Sequence, residues 1–237
     1  MIKTSFRKNV VGYSSADASG KTYMAVGPTF IDVSSSTGEF SVRSLKPQGD
    51  YDWQDDILFV VNPDTCEADV ELCYLTKAEF PKLAEDGWYD AGDGTPYNDE
   101  TFAIGTGFQS SFASGNDFSL MSSGQVHGDG YSVDCTGKVY QFLVNGTGRT
   151  ITWGEIVPDA DYDWQDDIAF IINPDTCEAD VELCYLTKAE FPKLAEDGWY
   201  DAGDGTPYND EELAPGEGFQ TSFAAGGSFN LNFPAAF

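Results

Sequence analysis

The stretch NPDTCEADVELCYLTKAEFPKLAEDGWYDAGDGTPYNDE, Asn62 to Glu100, returns without a change at Asn173 to Glu211. A long exact repeat constrains the fold more than any average property, because two identical segments must find two equivalent environments. The likeness runs past the identical block. YDWQDDILFVVNP from Tyr51 matches YDWQDDIAFIINP from Tyr162, with apolar swaps only at Leu58/Ala169, Val60/Ile171 and Val61/Ile172. Downstream, FAIGTGFQSSFASGNDFSL from Phe102 parallels LAPGEGFQTSFAAGGSFNL from Leu213. Upstream, VGYSSADASGKTY from Val11 parallels DGYSVDCTGKVY from Asp129. The unit is about 110–120 residues, and its seam, Ser122 to Gly130, is polar and glycine-rich as a linker should be. The expected organisation is two domains, 1–124 and 125–237.

Each unit reads as a run of short strands. Apolar runs are brief, glycine is frequent, and 41% hydrophobic with 14% aromatic residues is ample for real cores. GKTYMAVGPTF and GKVYQFLVNGTGRTITW read as hairpins, the second around the Asn145-Gly146 turn signal. DILFVV is a short apolar strand, NPDT a turn, and DVELCYL an alternating strand with Val70, Leu72 and Tyr74 on one face. TKAEFPKLAEDG has room for a helical turn or two, interrupted by Pro81. GFQSSFA and DFSLMS read as a last hairpin. The fold class is all-β: two tandem β-sandwich or small-barrel domains from an internal duplication.

Charge narrows the function classes. Twelve basic residues face 40 acidic ones, a net charge of −28. Such a surface repels phosphates and anionic headgroups, so nucleic acid is excluded as a partner. No apolar run approaches the roughly 20 residues of a spanning helix, so no membrane span is expected. The start, MIKTSFRKNVVGY, has no apolar signal core; either a signal has been removed from an exported precursor, which is the expectation, or export is not used. The charge is unevenly spread. The repeated block holds eleven acids and two lysines in each copy, whereas residues 1–46 carry a net +3.

Three short motifs, NVVGY (Asn9 to Tyr13), DGWYD in the middle of each unit and LAPGEGF (Leu213 to Phe219), resemble a set of small, β-rich, exported bacterial proteins without an assigned activity. The first unit departs at the last motif, with Phe102-Ala-Ile-Gly-Thr-Gly-Phe108. The resemblance implies a β fold and an extracellular or cell-surface location. It transfers no catalytic residue.

Five cysteines are present. Cys66 and Cys73, with their copies Cys177 and Cys184, are disulfide candidates if the chain turns between them; a single extended strand would hold the sulfurs over ~20 Å apart. The alternative is free, partly buried thiols, and Cys135 is the expected reactive one. Asp86, Asp90, Asp93 and Asp99, repeated as Asp197, Asp201, Asp204 and Asp210, lie in glycine-bent loops whose oxygens suit Ca²⁺, although the spacing is not that of a known calcium loop. The other reading is an acidic, solvated turn. Trp53, Trp88, Tyr89 and Tyr97 and their copies are candidates for stacking on glycans. No carboxylate pair stands out from the other acids, and the lone His127 cannot serve two equivalent units, so no enzyme is expected.

Two copies of one surface at a regular interval suit a structural protein. The expectation is a subunit of an extracellular filament or surface layer, joining copies of itself head to tail. The basic N-terminal arm would carry the contact through Lys3, Phe6, Arg7, Lys8, Val10 and Val11, adding a strand to a neighbour's sheet. The alternative is a bivalent carbohydrate-binding protein.

Overall fold

The computed structural model describes residues 11–33, 35, 38–113, 115, 117–159, 162–224 and 227–237. The first half contains β1 (Val11–Asp17), β2 (Ala25–Val26), β3 (Glu39–Ser41), β4 (Leu45–Gly49), β5 (Ile57–Val61), β6 (Ala68–Leu75), β7 (Gly87–Asp90), β8 (Thr101–Ala103), β9 (Phe108–Ser111) and β10 (Phe118–Gln125). The second contains β11 (Tyr131–Asp134), β12 (Tyr140–Val144), β13 (Ile151–Thr152), β14 (Val157–Pro158), β15 (Ile168–Ile172), β16 (Ala179–Leu186), β17 (Gly198–Asp201), β18 (Glu212–Leu213), β19 (Gly218–Ser222) and β20 (Asn230–Phe233). The helical residues described are two single 3-10 turns, Val42–Ser44 and Trp153–Glu155. None is long and apolar enough to cross a membrane.

The fold is all-β. The first half pairs its strands in the orders β1-β10-β4, β2-β9-β5-β6-β7 and β3-β8. The second uses β11-β20-β14, β12-β19-β15-β16-β17 and β13-β18, the same order strand for strand. All named pairings are antiparallel, and none of these sheets closes into a barrel. One core joins the sheets of the first half: Leu45, Phe118 and Leu120 from the three-stranded sheet meet Val26, Leu58, Leu72, Trp88 and Phe108 from the five-stranded one. The alternation in DVELCYL explains β6, where Leu72 is fully buried and Val70 and Tyr74 pack beside it. The second core repeats this set and adds Ile31 and Ile104 of the first half, so apolar packing continues from one half into the other.

Pairing departs from the expected hairpins in several places. β5 and β6 do form a hairpin across the NPDT turn. β2, however, pairs with β9, β12 with β19, and β13 with β18, so neither GKTYMAVGPTF nor GKVYQFLVNGTGRTITW folds back on itself. β9 and β10 belong to different sheets. The reason at Asn145 is visible: its buried amide donates to the carbonyls of Arg149 (2.7 Å) and Leu213 (2.8 Å), tying a wide loop to β18 instead of closing a tight turn. The segment around Pro81 forms turns, not a helix, with Phe80 N–H donating to Thr76 O (2.8 Å).

Candidate functional site

The two halves meet reciprocally. Tyr23 N–H donates to Pro174 O (2.7 Å), and its counterpart Tyr140 N–H donates to Pro63 O (2.6 Å). Gly27 N–H reaches Gly216 O (3.2 Å), and Val144 N–H reaches Gly105 O (2.9 Å). The Gln109 amide contacts Cys177 Sγ at 3.3 Å, and the Gln220 amide contacts Cys66 Sγ at 3.6 Å. Contacts that exchange partners in this way define a self-complementary interface, the kind a two-fold axis makes. A cleft flanks it on each side. The larger, about 200 Å³, is lined by Val60, Val61, Pro63, Lys138, Tyr140 and Phe142. Its counterpart, about 100 Å³, is lined by Ile171, Ile172, Pro174, Lys21, Tyr23 and Ala25.

The cysteines separate into two groups. β6 and β16 are extended between each candidate pair, so the Cys66–Cys73 and Cys177–Cys184 bonds are ruled out by strand length and all five thiols are free. Cys66 and Cys177 sit in the β5–β6 and β15–β16 turns at φ 60° and 61°, the only positive-φ residues other than glycine among those described. Asn62 builds the first turn: its Oδ1 accepts from Asp64 N–H (2.9 Å) and its carbonyl from Cys66 N–H (3.0 Å). The left-handed position that closes such a loop ordinarily takes glycine, and a side chain there costs about 1–2 kcal/mol. Cys73 and Cys184 are buried, each directed at a backbone carbonyl, Tyr89 O and Tyr200 O. Cys135, expected to be the reactive thiol, is buried instead, and desolvation pushes it up to about 12. The accessible thiols are Cys66 and Cys177.

The acidic loops are internally bonded. Asp86 Oδ1 accepts from Lys77 N–H (2.6 Å), Asp90 Oδ1 from Gly92 N–H (2.7 Å) and Asp93 Oδ1 from Thr95 N–H (2.8 Å). Asp197, Asp201 and Asp204 do the same with Lys188, Gly203 and Thr206. The side-chain and backbone bonds from Thr95 and Thr206 lower the carboxyls of Asp93 and Asp204. Asp99 pairs with Arg43 at 2.6 Å, whereas Asp210 faces the stretch where Gly154 replaces that arginine. Among the described residues, no three His, Cys, Asp or Glu side chains converge on a point that would hold a metal. The loops are thus turn-forming carboxylates that do not gather.

Of the glycan-stacking candidates, Trp88, Tyr89, Trp199 and Tyr200 are core residues. Trp53 and Trp164 are half-buried, each edge-to-face with a phenylalanine, Phe80 or Phe191, at 5.0 Å. One functional-looking group escaped the sequence reading: the second acid of each WQDD is buried. Asp56 and Asp167 accept backbone N–H bonds from Asp52 (2.6 Å) and Ala113 (2.8 Å), and from Asp163 (2.7 Å) and Ala224 (2.8 Å). They pin the WQDD turn to the end of the β9 or β19 strand and act as structural braces.

Of the predicted assembly residues, Lys3, Phe6, Arg7, Lys8 and Val10 lie outside the described residues. Val11 opens β1 and is 65% exposed, and Tyr13 beside it is 78% exposed. β1 pairs on one side, with β10, and is an edge of its sheet. Comparison with family models, with curated proteins and with solved structures finds no match.

Proposed function

We propose that the chain is a structural subunit of an extracellular filament or surface layer, built by tandem duplication of one β-sandwich unit (1–124 and 125–237) and joined head to tail through its N-terminal arm. The observation that carries this reading is the state of the sheet edges. The outer side of β7 is covered by its own loop, with Tyr97 N–H on Trp88 O, and β2 and β12 meet the opposite half. β4 and β14 contain Pro47 and Pro158, which interrupt the row of donors as edge-protecting prolines do. β11 is four residues long. β1 is the remaining long edge, and it continues directly from the segment bearing Lys3, Arg7 and Lys8.

A basic strand entering an acidic neighbour gains encounter rate from charge and cohesion from apolar burial. Deleting residues 1–10 tests it: light scattering and negative-stain microscopy should find assemblies of the full-length protein and folded monomers of the truncated one. Equal assembly of both proteins would end the arm model. The second reading, a bivalent glycan-binding protein, draws on the paired half-buried Trp53–Phe80 and Trp164–Phe191 rings. A monomer that binds a glycan array would favour it, as would loss of that binding in Trp53→Ala with Trp164→Ala.

A further inference from the structure

We propose that Cys66 and Cys177 form a disulfide across the two-fold relation between the halves, a covalent clasp on an interface otherwise held by hydrogen bonds and packing. Reciprocity places each of the two thiols against the opposite half. Gln109 of the first half reaches Cys177 of the second, and Gln220 of the second reaches Cys66 of the first. Gln109 lies opposite Phe59 of β5, the strand that leads into the Cys66 turn, and Gln220 lies opposite Phe170 of β15, which leads into the Cys177 turn. Each glutamine therefore stands beside its own hairpin and touches the other's sulfur. Burial first, then the charge of Cys177, pushes the Cys66 thiol up.

Placement supports the same conclusion. Both cysteines occupy left-handed positions that glycine would fill without strain, and strained backbone at a reactive side chain is a recurring feature of functional sites. They are also the accessible pair, Cys66 exposed and Cys177 half-buried, whereas Cys73, Cys135 and Cys184 are buried. Closure needs the two Cα atoms within the usual 4.4–6.8 Å.

The chemistry is thiol–disulfide exchange with a small-molecule disulfide such as oxidised glutathione. One cysteine thiolate attacks a sulfur of the oxidant and expels a glutathione thiolate, leaving a mixed disulfide. The other cysteine thiolate attacks the protein sulfur of that mixed disulfide, forms the Cys66–Cys177 bond and expels the second glutathione. The two thiol protons end on the two expelled thiolates. The protein is oxidised by two electrons and the glutathione disulfide reduced by the same two. Because the closed loop spans the greater part of a repeat unit, the bond restrains the unfolded chain strongly.

The test uses the reduced full-length protein incubated with oxidised glutathione, then unfolded, alkylated and mapped by mass spectrometry with and without reductant. Expected are alkylated Cys73, Cys135 and Cys184, and one reductant-sensitive linked peptide pair containing Cys66 and Cys177. The melting temperature should rise by roughly 5–15 °C on oxidation and return on reduction. Cys66→Ser and Cys177→Ser should each melt like the reduced wild type and show neither the linked pair nor the rise. Five alkylated cysteines after oxidation would overturn the proposal. So would stable glutathione adducts at both positions, or a linkage found only between two molecules on a non-reducing gel.

Discussion

Asn98 lies over Gly87. Its Oδ1 accepts the Trp88 N–H at 2.8 Å and its Nδ2 donates to Glu85 Oε1 at 3.2 Å. A Cβ at position 87 would stand 2.1 Å from Asn98 Oδ1, so the glycine of DGWYD is fixed by close approach, and Asn209 repeats this over Gly198. Asn98→Ala leaves a buried N–H unpaired and should cost about 1–3 kcal/mol, read as a lower denaturant midpoint. Asp167 makes a pH-dependent contribution. Burial raises its carboxyl above the ordinary 3.8, against the lowering effect of its two backbone bonds. The folded state then holds that proton more tightly than the unfolded state, so this group's contribution is fully present below 3.8 and is lost as pH rises towards the folded value. Asp167→Asn lacks that decline, and it also turns an amide N–H₂ toward one backbone donor. In urea melts, the stability margin of wild type over the variant should shrink as pH rises through that window. Neither role was legible beforehand: nothing in the letters of WQDD separates the exposed Asp55 and Asp166 from the buried Asp56 and Asp167.

At the level of elements, local signals and tertiary ones part company. The β5–β6 hairpin was legible because alternation, Asn62 and Pro63 all act within a few residues. The partners of β2, β9, β10 and β12 were not, because their pairing is settled by distant strands. Asn145-Gly146 misleads for the same reason: the side chain spends its donors on Arg149 and Leu213 rather than on a tight turn. The cysteines were half legible. Strand length decided against the Cys66–Cys73 bond once β6 was seen to be continuous, but the left-handed backbone at Cys66 leaves no trace in a turn that looks ordinary. Exposure along β1 alternates, with Val11, Tyr13, Ser15 and Asp17 outward. A charge on an edge strand discourages pairing with another chain. Tyr13→Lys should therefore reduce assembly of the full-length protein in light scattering, while shifting monomer stability by no more than about 0.5 kcal/mol, as an exposed substitution does.

The molecule as a whole carries −28, concentrated in the repeated blocks. The three described ion pairs, Arg43 with Glu85 and Asp99 and Arg149 with Glu155, offset little of it, and all are at least partly exposed. Like-charge repulsion of this size works against the compact state and is screened over ~8–10 Å at physiological salt. Raising sodium chloride from low to moderate concentration should raise the melting temperature of the monomer, and no change would mean that the acids lie too far apart to repel measurably. Apolar packing through Ile31, Ile104 and Tyr131 holds the halves together against that field.

The reciprocal interface has a consequence for how one molecule tells itself from another. The backbone contacts of Tyr23 and Tyr140 and of Gly27 and Val144 are matched between the halves, while among the described residues Ile31 and Ile104 enter the second core and no second-half residue enters the first; the surface that joins two halves of one chain equally fits halves of two chains. The identical blocks sharpen this, since β6 and β16, and β7 and β17, have the same sequence and can occupy each other's places without a steric penalty. Exchange of halves between neighbours, a domain swap, needs no new contact at all. Correct pairing is therefore a matter of local concentration, set by the seam's length, more than of chemical recognition.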